Sequence, residues 1–107
     1  MKHIITTALG DFTVELTYSP SQGDSILNRF ASVINRFATQ PLTKSLQMHP
    51  ELDPIKDSEI LQKEALNLIS LDDEAKIEKA LYDSTCVLHG AGIPIRFSIK
   101  EKFIDAF

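Results

Sequence analysis

The apolar residues of this chain change period twice, which constrains the fold more than any other feature. Phe12, Val14, Leu16 and Tyr18 alternate with Thr13, Glu15 and Thr17, the period of a strand with one buried face. Ile26, Leu27, Phe30, Val33, Ile34 and Phe37 follow at spacings of 1, 3, 3, 1 and 3, the stripe of an amphipathic helix. Ile93, Ile95, Phe97 and Ile99 then alternate with Pro94, Arg96, Ser98 and Lys100, which is strand spacing again. Strands at both ends with helices between them predict an α+β fold. The expected form is an antiparallel sheet of about four strands, made of an N-terminal and a C-terminal hairpin. A central segment of three to four helices packs on one face.

Turn and cap residues divide the elements. The first hairpin runs from His3 to Leu9, turns at Gly10-Asp11 and returns through residues 12–18. Ser19-Pro20-Ser21-Gln22-Gly23 reads as a loop, and Asp24 or Ser25 as the cap of the first helix. Pro41 lacks the N–H that continues a helix, so that helix is expected to end near Thr39, with a short one over Leu42–Met48. His49 to Lys56 holds two prolines, at Pro50 and Pro54, and reads as a rigid connection. Asp57 or Ser58 caps a helix with the stripe Ile60, Leu61, Ala65, Leu68 and Ile69. Ser70 and Asp73 resemble a capping box ahead of a further helix, whose buried side is Leu71, Ala75 (or Glu74), Ile77, Ala80 and Leu81. Thr85 to His89 reads as a strand, Gly90-Ala91-Gly92 as a turn and Ile93 to Ile99 as the returning strand. Pro94 marks that strand as an edge. Glu101 to Phe107 reads as a short packing helix.

With 107 residues, the chain suits one domain, residues 1–107, large enough to fold without staples. No apolar run reaches the roughly 18–20 residues that cross a bilayer. The N-terminus lacks the order of a signal peptide. The single cysteine rules out an internal disulfide and suits a reducing compartment. The expected location is therefore the cytoplasm.

Charge is uneven. Residues 51–83 hold ten acids and four lysines, a net −6 within a chain of net −4. A negative surface repels phosphate backbones and attracts basic partners. Part of this block has structural work to do, because Asp72, Asp73 and Glu74 fall in a helix's first turn, where the dipole favours anions. The rest also reads as a solvated helical face.

Rare residue types gather in the stretch Cys86 to Phe97, but no catalytic set emerges. Cys86 and His89 on a strand would point to opposite faces. Paired Cys or His ligands, as zinc requires, are absent from the sequence. Cys86 among apolar neighbours reads as an inert core thiol. Gly90-Ala91-Gly92 feeds a strand, whereas a phosphate cradle must feed a helix. Three arginines are too few for a nucleic-acid surface. No catalytic residue, metal or cofactor is expected.

The leading expectation is a small, acidic, non-catalytic binding protein that covers a basic protein partner. Immunity and antitoxin proteins that neutralise toxic nucleases are of this general type. Its partner-binding residues would be Glu51, Asp53, Asp57, Glu59, Asp72, Asp73, Glu74, Glu78 and Asp83. The alternative is a small-ligand or enzymatic domain using His89 and Arg96 on the 86–97 hairpin. A third reading is a homodimer or larger assembly joined through a sheet edge, such as the Pro94 strand.

Overall fold

The computed structural model describes residues 1–17 and 25–107, together with the backbone alone at residues 23 and 24. In chain order the elements are β1 (Lys2–Thr7), β2 (Gly10–Leu16), α1 (Gly23–Met48), α2 (Ser58–Leu68), α3 (Leu71–His89), β3 (Ile95–Ser98) and β4 (Phe103–Ala106). The class is α+β, with three helices and a four-stranded sheet among the described residues. The expected loop over residues 19–22, and Tyr18, lie outside the described residues.

The sheet is mixed, where an antiparallel one was expected. Its order is β1-β2-β4-β3. Both hairpins are antiparallel, but β2 and β4 run parallel, with Val14 opposite Ile104 and Leu16 opposite Ala106. The second hairpin docks through its last strand. Had β3 taken that place, all pairs would be antiparallel. Burial explains the choice: Ile104 and Ala106 are fully enclosed between β2 and β3, whereas β3 follows Pro94. A residue without an N–H suits an edge.

Several local expectations change for related reasons. The first turn is Ala8-Leu9, not Gly10-Asp11, since Thr7 pairs with Gly10. Leu9 is buried, and the Thr7 hydroxyl accepts from the Leu9 amide and donates to the Gly10 carbonyl. The helix α1 does not stop before Pro41; it continues to Met48. Its far half is held by packing, because the Ser45 hydroxyl, fully buried, donates to the Leu61 carbonyl of α2 at 3.0 Å. The stretch Thr85–His89 is the end of α3, not a strand. Ile77, Leu81, Thr85 and Leu88 keep helical spacing to the end, and Gly90, at φ 77°, closes the helix by donating to the Cys86 carbonyl. The tail forms β4 instead of a helix, because its alternating burial fills the slot beside β2.

Cap chemistry differs between the helices. Ser70 caps α3 as expected, accepting from the Asp73 amide at 3.1 Å. Asp57 precedes α2 and its backbone carbonyl accepts from the Leu61 amide, but its side chain does not cap the helix; the carboxylate accepts from the Asp53 amide instead. Of the expected stripe of α3, Ile77 and Leu81 are enclosed and Ala80 half-buried, whereas Leu71 and Ala75 are exposed and Glu74 rather than Ala75 turns partly inward.

All three helices lie on the sheet face lined by Ile5, Phe12, Val14, Leu16, Ile95 and Ile104, and one buried cluster joins the layers. Phe12 and Phe30 are fully enclosed, each stabilising the fold by about 1.5–3 kcal/mol through burial. Phe12 also stacks on Phe97, with ring centroids 6.4 Å apart. The helix α1 packs α2 on its C-terminal half and α3 on its N-terminal half, where Arg29 and Arg36 line a groove with Ala80, Asp83 and Ser84. The opposite sheet face meets solvent. Across it run Lys2, Glu15, Asp105 and Arg96 in register, a row of +, −, −, +.

Candidate functional site

The nine acids selected from the sequence follow the connection and helices after α1. Glu51, Asp53, Glu59, Asp72, Glu78 and Asp83 are exposed; Asp57, Asp73 and Glu74 are half-buried. They extend along loop 49–57, the start of α2 and the length of α3, and do not converge on one spot.

Several have local duties. The Asp53 carboxylate accepts from the Ile55 and Lys56 amides and folds the loop ahead of α2. Asp57 accepts from the Asp53 amide. Asp72 pairs with Lys76 one turn on, at 3.5 Å, an exposed contact of a few tenths of a kcal/mol at most. Asp73 and Glu74 face the positive end of the α3 dipole. Glu51 lies 3.4 Å from His49. Its own backbone amide lowers its carboxyl pKa first; slight desolvation opposes this, and the His49 hydrogen bond and charge lower it further. Glu59, Glu78 and Asp83 enter none of the ion pairs among the described residues, although Glu59 also stands in the first turn of α2 and Asp83 lines the groove with Arg29 and Arg36. They are the acids most available to a partner.

The alternative pair, His89 and Arg96, is not brought together. The expected hairpin does not exist: His89 ends α3, in the helical layer. Arg96 sits between Ile95 and Phe97, which face the helices, so its side chain projects from the opposite face. There it bonds the Asp105 carboxylate at 3.0 Å and lies over the Phe107 ring. Cys86 is half-buried rather than a core thiol. On a helix, Cys86 and His89 are neighbours three apart and do not diverge. Among the described residues, no group of three or more His, Cys, Asp or Glu stands close enough to hold a metal ion. No helix among them is long and apolar enough to cross a membrane.

One concavity among the described residues is not announced by the sequence. It has a volume of about 700 Å³ and opens where the β1–β2 turn, the first turns of α2 and the β3–β4 turn meet. Lys63, Lys100 and Lys102 line it with Thr6, Ser58 and Gln62, and Asp11 and Glu59 line it too. Lys102 takes a positive φ of 56° and carries its amine over Gly10, where a Cβ would collide with it. Among the described residues none of the ion pairs uses these lysines. Three ammonium groups suit a compact anion, while the two carboxylates oppose an extended polyanion. The only sequence signal is the pair Lys100 and Lys102 flanking Glu101, which acquires meaning once that segment is a turn facing α2.

No protein family matches the chain, and no curated protein or solved structure is significantly similar to it.

Proposed function

We propose that this is a small non-catalytic binding protein that covers a basic protein partner, in the manner of immunity and antitoxin proteins that block nuclease toxins. One observation supports the reading most: the segment of net −6 keeps its acids on the surface of loop 49–57, α2 and α3. Such a surface accelerates encounter with a cationic partner and fixes its orientation more than it adds raw affinity. Because Asp53, Asp57, Asp73 and Glu74 also shape the loop and the start of α3, the partner-facing weight falls on Glu59, Glu78 and Asp83.

The test begins with capture of a stoichiometric basic partner from native lysate, or by co-expression with the product of the adjacent reading frame. Association rates are then compared for wild type and for the Glu59→Lys, Glu78→Lys, Asp83→Lys triple variant. The expected result is a rate lowered about tenfold or more at low salt, with the difference shrinking as salt screens the charges. A rate that is unchanged at low salt, or failure to obtain any stable basic partner, would overturn the proposal.

A further inference from the structure

The two edges of the sheet are not equally protected. The β3 edge is four residues long and enters through Pro94, and it carries Arg96. Short length, proline and charge are devices that discourage edge pairing. The β1 edge has six residues, Lys-His-Ile-Ile-Thr-Thr, with neither proline nor glycine, and its one lysine stands at the end of the strand and leaves the centre uncharged.

The hydrogen-bond phase of β1 defines what this edge presents. The Met1 amine donates to the Leu16 carbonyl at 2.8 Å, and the Leu16 amide donates to the Met1 carbonyl at 3.0 Å. Bonded pairs recur at every second residue of an antiparallel ladder. His3, Ile5 and Thr7 therefore turn their backbone groups toward β2, while Lys2, Ile4 and Thr6 turn theirs outward. At the centre of these three, Ile4 is 71% exposed.

We infer that β1 pairs antiparallel with β1 of a second copy, about a two-fold axis at Ile4. This rests on the edge alone and is independent of the acidic surface. The register uses every outward group: Ile4 meets its counterpart, and each Lys2 meets a Thr6. It forms about six backbone hydrogen bonds. It removes an exposed isoleucine from water at the axis. Charges complement each other in this register and in no symmetric one centred on Lys2, which would set lysine against lysine. Each Lys2 stands beside Thr6 of the second copy, whose partner on β2 is Asp11. Opposite charges thus share one face, about 10 Å apart between Cα atoms.

The helical layer permits the approach. A groove of about 440 Å³ runs along this edge between Ile4, Ile5 and Thr6 and the α1 residues Leu27, Asn28 and Ala31. The α1 residues that line the groove, Leu27, Asn28 and Ala31, are uncharged, whereas Arg29 and Arg36 turn toward α3. Along the groove itself, no charged α1 side chain stands against the approach of a second strand. The result is a continuous eight-stranded sheet with all helices on one face.

The test is the molar mass of the full chain by sedimentation over a concentration series. The expected result is a dimer for wild type, and for Ile4→Lys a dissociation constant at least tenfold weaker with an unchanged circular dichroism spectrum. Ser98→Lys, on the β3 edge, should leave the dimer intact. As a second readout, Ile4→Cys in a Cys86→Ser background should oxidise to a covalent dimer, since bonded antiparallel pairs stand about 5.5 Å apart at Cα, within disulfide range. Ile55→Cys, on an exposed loop, should not. A monomer at every concentration, a dimer that survives Ile4→Lys, or a dimer lost through Ser98→Lys would each overturn the inference.

Discussion

At the scale of single residues, two turn positions show opposite fits between side chain and backbone. Gly90 closes α3 at φ 77° with open space around its Cα. An L side chain there meets no neighbour but strains the backbone, so Gly90→Ala should lose about 1 kcal/mol. Lys102 occupies the same left-handed region at φ 56°, where the lysine side chain brings the strain that glycine avoids. Lys102→Gly should therefore gain about 0.5–1 kcal/mol, less what the freer unfolded chain takes back. Urea midpoints that move in opposite directions would bear out both statements. The same direction for both would show that backbone strain does not set these two sites. Gly92 differs from both, since a Cβ there would overlap the Tyr82 ring. That glycine answers a tertiary contact between α3 and the segment before β3, which no local rule reveals.

At the scale of elements, Pro41 is the clearest conflict between propensity and fold. It removes the hydrogen bond that the Phe37 carbonyl would accept within α1. The helix nevertheless spans 26 residues, because beyond the proline Leu42 packs on the core and Ser45 bonds to α2. A proline in a helix interior costs about 3 kcal/mol relative to alanine. Pro41→Ala should thus raise stability by up to about 3 kcal/mol, read as a higher thermal midpoint with an unchanged helical spectrum. An unchanged or lower midpoint would mean that the proline ring's own packing offsets the missing bond. The Thr85–His89 segment is a second conflict. Its β-branched residues resemble a strand when taken alone, yet Leu81, Thr85 and Leu88 continue the stripe of α3. Thr85 then uses its hydroxyl to donate to the Tyr82 carbonyl and to accept from the Ile93 amide. The longer periodicity outweighs the local preference, as it does wherever burial decides.

At the scale of the whole molecule, the last strand is central. The strand β4 sits between β2 and β3, so the C-terminal segment joins the first hairpin to the second. Ile104, 1% exposed, is enclosed where the sheet meets the helices. Ile104→Ala should cost about 2–5 kcal/mol. Phe103→Ala, on the half-buried outer face, should cost less although it removes a larger side chain. Equal losses in chemical denaturation would contradict the central placement of β4. The same topology gives the sheet its two unequal edges, and α3, which carries Glu78 and Asp83, packs against β3 at the end of the sheet opposite β1. Partner binding through the acids and pairing through β1 are consequently separable by mutation.

The α+β class, the presence of β1 and β2 though not their turn, the span of α2 and most of α1, and the Ser70 cap were legible in the residues, because each rests on periodicity or on one short-range bond. The nine acids were legible as a charged block, since charge counts need no coordinates. Which of them are spent on turns and helix starts was not, and neither was the lysine cleft, whose members come from three separated segments. The parallel pairing of β2 with β4 was equally hidden. Two hairpins of alternating residues are compatible with either strand order, and local pattern does not distinguish them. The order is decided by which strand fills the interior better, and burial of Ile104 and Ala106 against the core is a property of the assembled chain alone.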